Sequence, residues 1–174
     1  MADALHQVNL TYSSEEDRIL LRLSTAARQE YRLWLTRRFV RALWQVLVKA
    51  SERMPGIGEQ IDEDVRKALV SFQHAAAVKD ADFKTAYKGG GFATPFGEAP
   101  VLLIGAQLKT SRSGSVDIAL QAEDKRTVSV RLEPKLLHSF CSLLAAAAHK
   151  AEWSLDLSVG EPLPAPPSDQ ARVH

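Results

Sequence analysis

Apolar and polar residues change their spacing several times along the chain, and each change marks an element. Val8, Leu10 and Tyr12 alternate with polar neighbours, the period-two signature of a half-buried strand. After the polar turn Ser13–Asp17, Ile19, Leu21 and Leu23 face one way, while Arg18, Leu20, Arg22 and Ser24 face the other. Tyr31, Leu33 and Leu35 resume the inward face after a loop at Ser24–Gln29, which predicts a three-stranded meander. The spacing then switches to that of a helix. Phe39, Val40, Leu43, Trp44, Val46, Leu47 and Ala50 form the apolar stripe, with Arg38, Arg41, Gln45, Lys49 and Glu52 opposite. Thr36 is placed to cap this helix, and Pro55–Gly56 ends it.

A connecting helix is predicted over 61–78, with Asp62, Glu63 and Asp64 in its first turn and a stripe of Val65, Leu69, Phe72 and Ala76. Residues 80–87 are ambiguous, and 88–100 read as a flexible Gly- and Pro-rich linker. Strands follow at 101–109, 115–122 and 126–132, then a helix at 134–150. Trp153, Leu155, Leu157 and Val159 alternate once more and predict a last strand.

Advancing the first unit by 97 positions lays it on the second without a gap. Ile19, Leu21 and Leu23 fall on Val116, Ile118 and Leu120. Tyr31, Leu33 and Leu35 fall on Val128, Val130 and Leu132. Phe39, Leu43 and Leu47 meet Leu136, Phe140 and Leu144. Keeping phase through both a period-two and a 3.6-period stretch is demanding, so a pseudo-twofold repeat is expected.

The fold class is therefore α+β. Two antiparallel strand-meander-plus-helix units, 7–53 and 101–159, make a single domain over 1–160. Their sheets are expected to merge into one larger antiparallel sheet with the long helices stacked on one face. Residues 161–174 are expected to be a disordered Pro-rich tail. In architecture this arrangement is similar to nucleic-acid-binding folds of the PUR and Whirly type. No motif accompanies that likeness.

Composition changes this picture little. The chain has 174 residues, a formal charge of +1 and one cysteine, so no intrachain disulfide is available. There is no signal-like start and no apolar run long enough to span a bilayer, which predicts a cytoplasmic protein without a membrane partner. Charge distribution is more informative. Arg18–Arg53 holds nine Arg/Lys against Glu30 and Glu52, and that surplus is a candidate binding footprint.

Two clusters within it stand out. Arg37 and Arg38 open a helix, where the dipole already favours anions, so two cations there suit a phosphate or carboxylate guest. The equivalent start in the second unit is Glu133–Pro134, an ordinary stabilising pair. The competing expectation is that Arg37 and Arg38 pair with acids at 15–17 or 62–64. The second cluster is the outer sheet face, where Leu20, Arg22, Arg32 and Trp34 could stack and clamp a single strand. Its competing reading buries Leu20 and Trp34 under the connecting helix or in a dimer contact.

His138 and Cys141 lie one turn apart but within an apolar stripe, which suits an inert core pair better than a dyad. Gly89–Gly91 lacks the strand, the Lys-Ser/Thr ending and the helix of a phosphate loop. No catalytic, metal or cofactor set can be assembled, so an enzyme ranks third. Leading is a non-enzymatic regulator that binds single-stranded nucleic acid or a phosphate anion through Arg22, Arg32, Trp34, Arg37, Arg38, Arg41 and Lys49. The alternative is a protein–protein adaptor or homodimer using the outer sheet face.

Overall fold

A computed structural model describes residues 2–160; the Pro-rich tail expected at 161–174 lies outside the described residues. The chain is of the α+β class. In order it forms β1 (Asp3–Ser13), β2 (Arg18–Thr25), β3 (Glu30–Leu35), α1 (Arg37–Glu52), α2 (Glu63–Asp80), β4 (Val101–Thr110), β5 (Val116–Ala122), β6 (Thr127–Leu132) and α3 (Pro134–Lys150).

Within each meander the pairing is antiparallel, with Leu21 beside Leu33 and Ile118 beside Val130. The two meanders do not merge into the expected antiparallel sheet. They close into a six-stranded barrel through two short parallel joins, Leu33–Trp34 with Val101–Leu102 and Asp3–Ala4 with Val130–Arg131. Alternation specifies which face of a strand is buried and leaves its neighbour open. Pairing the free edges of both meanders removes exposed ladder groups, which explains why closure wins.

The inward residues pack against the helices. Leu21, Leu23, Ile118, Leu120, Val130 and Leu132 meet Leu43 of α1 and Phe140 of α3 around a residual cavity of about 10 Å³. That is room for one water at most, so the space between these side chains is filled core.

Thr36 caps α1, its hydroxyl accepting from the Phe39 N–H at 3.2 Å. The helix buries the predicted stripe except Val46, which is 38% exposed. In α3, Pro134 opens the helix with no side-chain cap at Glu133. The helix α2 starts later than expected, at Glu63, with Asp62 as its cap and Ile61 fully outside. Its buried residues are Val70 and Ala77, whereas Phe72 is exposed, so the predicted stripe was out of phase. Scattered alanines give this helix little periodic contrast, and its contacts with α3 and α1 set the buried side.

The strand expected at Trp153–Val159 is absent; these residues run as irregular chain. Side chains take up its backbone carbonyls: Arg37 Nε donates to Trp153 O at 2.8 Å, and Trp44 Nε1 to Ser158 O at 3.3 Å. Alternation here records Trp153 turned inward beneath a strap, with its indole donating to Asp17 at 3.0 Å.

Between α2 and α3, the Nδ1 atoms of His74 and His138 lie 3.2 Å apart. His138 is buried, and its Nε2 has no hydrogen-bond partner. Burial, and then the neighbouring His74, push the His138 imidazole down to about 4, and burial also lowers His74. A histidine depressed in the folded state takes up protons more readily when unfolded. Stability is therefore complete above the ordinary value near 6.5 and declines as pH falls towards 4. Urea titrations should show a loss of about 3 kcal/mol across that window, largely abolished in His138→Phe.

Candidate nucleic-acid interface

The seven residues nominated from the sequence separate into two groups with different fates. Arg22, Arg32 and Trp34 lie on the outer face of β2 and β3. Glu30 begins β3 beside them and is only 2% exposed. A carboxylate that far from water needs compensating charge. Arg22 Nε reaches its Oε1 at 3.2 Å and Arg32 Nε the same oxygen at 3.3 Å.

Both guanidinium groups have further duties. Arg22 lies 4.3 Å over the Tyr87 ring, and Arg32 Nη1 donates to Glu98 O at 2.9 Å. These contacts tie down the 87–98 segment, helped by the Glu30 N–H donating to Ala93 O at 2.8 Å and by Phe96 edge-on to Tyr31. Gly89 passes so close to Arg22 and Glu30 that a Cβ would strike the guanidinium. Gly89 thus serves a tight approach to this buried ion cluster, whereas Gly90 and Gly91 have open space around them and take positive φ.

Trp34 is half-buried and pairs across the sheet with Leu20, and beside Leu102 across the parallel join. The helix α2 packs chiefly on α3 and α1.

The second group, Arg37, Arg38, Arg41 and Lys49, lies along α1 and is exposed. Steps of three and four residues place Arg38, Arg41, Gln45 and Lys49 on one side of the helix. Arg37 is engaged with the Trp153 carbonyl. Among the described residues Arg38, Arg41 and Lys49 make no hydrogen bond or ion pair through their side chains. Of the acids that could have clasped Arg37 and Arg38, Glu16, Asp17, Asp62 and Glu63 have other partners. Asp17 accepts from the Trp153 indole and from the Tyr12 hydroxyl, both at 3.0 Å. These two bonds hold its carboxyl below the usual range, and the charge of Arg37 adds to the effect. Asp62 caps α2. Arg37, Arg38, Arg41 and Leu155 line a shallow depression of about 280 Å³ with no acid in its wall.

The remaining candidates resolve simply. Cys141 is buried in α3, and burial pushes its thiol up to about 12, which leaves it unreactive. His138 faces His74 and is not paired with Cys141. Among the described residues no group of three His, Cys, Asp or Glu side chains is placed to hold a metal, and no helix is long and apolar enough to cross a membrane.

Sequence reasoning missed that Lys49 shares a groove with Arg53, Lys109 and Arg112, because half of those cations come from the β4–β5 hairpin. It also missed that Glu30 neutralises the sheet arginines. A lone acid within a basic run was the available signal. No family model, curated protein or solved structure matches the chain.

Replacing Arg22 and Arg32 together with alanine leaves Glu30 buried without compensation. Denaturant unfolding should then show a loss of about 3 kcal/mol, at the low end for a broken buried pair because the guanidinium groups are partly exposed. Adding Glu30→Gln to the double variant should recover part of it.

Proposed function

We propose that the protein is a non-enzymatic binder of nucleic acid, or of a comparable phosphate polyanion, and that α1 is its contact surface. The observation that carries this is the row of cations on the solvent side of α1. Among the described residues Arg38, Arg41 and Lys49 have no partner, while five of the arginines in the strands and their turns, Arg18, Arg22, Arg32, Arg126 and Arg131, are ion-paired. Repulsion along such a row is relieved by an anion that runs parallel to it. Contact with phosphates positions a nucleic acid without reading its bases, so binding by α1 is indifferent to sequence.

We read the scaffold as a repeat about a pseudo-twofold axis, in which one helix became the binding element. Equivalent registers support this. Ile19 pairs with Leu35 as Val116 pairs with Leu132, both at the 97-residue spacing. Val8 pairs with Leu23 as Ala106 pairs with Leu120, with the first strand displaced by one further position, so the second hairpin is one residue shorter between these equivalent pairs. At the helix surface the copies diverge: Arg38, Arg41 and Lys49 correspond to Lys135, His138 and Ala146.

Counterion release sets the test. Arg38→Gln with Arg41→Gln should reduce the steepness of log K against log salt for a single-stranded oligonucleotide by about 1.4, at ~0.7 per lost phosphate contact. Unchanged affinity and slope would end this reading.

A second reading, self-association through the outer sheet face, is favoured by one observation. Ile104 is 57% exposed, close along the chain to Leu102, which pairs with Trp34, whose partner on the other side is Leu20. If that face joins two copies, Ile104→Lys should convert a dimer to a monomer in light scattering, with little response to salt in the parent protein.

A further inference from the structure

The C-terminal half of α1 and the β4–β5 hairpin enclose a groove of about 600 Å³, lined by Val46, Lys49, Ala50 and Arg53 on one side and by Leu108–Arg112 on the other. Four of its lining residues are cations, and no acid lines it. Lys49, Arg53, Lys109 and Arg112 enter no ion pair among the described residues. Only Lys109 has an acid for a cross-strand neighbour, and that acid, Asp117, is held by Arg131 at 2.7 Å.

Hairpin chemistry does not demand this charge. The β1–β2 turn serves the same structural purpose with Glu15, Glu16 and Asp17. At the basic hairpin the backbone is secured from within: Ser111 N donates to Ser115 O at 2.8 Å, and the Ser111 hydroxyl lies 2.8 Å from those of Ser113 and Ser115. Arg112 contributes nothing to that network and projects as an exposed residue. The helix dipole accounts for Lys49 and Arg53 near the end of α1. It does not account for two further cations brought up against them from another element.

We propose that this groove is a second phosphodiester subsite, so that one nucleic-acid strand runs the length of α1 from Arg38 to Arg53 and then against the hairpin at Arg112. The inference rests on the reading of α1 as the nucleic-acid surface and adds to it the path and extent of the ligand. At ~1.5 Å per residue the helix from Arg38 to Arg53 measures about 22 Å. With phosphates ~3.4 Å apart along one strand of a duplex, that length faces about six of them. Gln45 occupies the middle as an exposed amide able to donate to a phosphate oxygen. Val46 and Leu108 give the groove an apolar floor beneath sugar rings.

The experiment uses Arg53→Gln with Arg112→Gln, two exposed residues whose side chains have no partner to lose. Binding of this variant, of the Arg38/Arg41 double variant and of the parent is measured against salt. The probes are a single strand and a duplex, each of about 20 nucleotides or base pairs, long enough to cover the whole path at the spacing above. The expected result is a slope shallower by about 1.4 for the single strand or about 1.8 for the duplex. Circular dichroism and the unfolding midpoint should match the parent.

A normal slope in the Arg53/Arg112 variant, with a reduced one in the Arg38/Arg41 variant, overturns the groove and leaves α1 standing. Normal slopes in both overturn both. Polyglutamate binding as tightly as either oligonucleotide, and losing affinity equally in the groove variant, would assign the groove to an acidic protein segment and overturn the proposal. The single-strand and duplex arms decide which form of phosphodiester backbone follows the path.

Discussion

The buried carboxylate of Glu30 governs how this protein distributes its charge. A carboxylate with almost no water around it must be compensated by cations held close, and Arg22 and Arg32 are committed to that duty. Their other contacts bring the 87–98 segment onto the sheet, so one ion cluster joins β2, β3 and the chain leading into β4. The sheet face is left with half-buried Trp34 and little free charge. Apart from Arg28, which lies over the Phe92 ring, the positive charge left without an ion pair in the first unit lies along α1 and its C-cap.

That division follows from how the barrel closes. Each meander turns its apolar residues inward against one long helix, and Leu43 and Phe140 complete the filling between them. Filling of this kind leaves each helix with an outward side that packing does not constrain. On α3 that side is partly covered by α2. On α1 it carries cations, and the strap at 153–159 bounds it at one end through the Arg37 bond to Trp153. Under the proposed reading, therefore, a rigid element presents the contacts while the sheet supplies support. Phosphate binding asks for spacing and charge and does not require a shaped cavity, which agrees with a filled barrel.

The two histidines between α2 and α3 show the cost of joining elements through polar groups in a dry place. His138 has an imidazole nitrogen without a partner, and its neighbour is another titratable ring. Apolar residues of similar shape would pack there without dependence on pH. Here two titratable rings stand where one helix packs against another.

Much of the secondary structure was legible along the chain because it follows from local periodicity. Alternation at Ile19–Leu23 and Tyr31–Leu35, the Thr36 cap and the stripe from Phe39 to Ala50 each depend on neighbours only a few residues away. The shared side of Arg38, Arg41 and Lys49 was legible for the same reason, since residues three or four apart on a helix share a side wherever the helix packs. Whether acids would pair with Arg38 was not. Where local contrast was weak, as in α2, the phase slipped and Phe72 was placed on the wrong side. Tertiary structure alone decided the rest: the parallel joins that close the barrel, the Glu30 cluster that takes two arginines out of play, the strap that mimicked a strand, and the groove in which Arg53 meets Arg112. Each depends on residues distant in the chain becoming neighbours. A sequence pattern carries no information about such a meeting until backbone closure and the desolvation of charge select it.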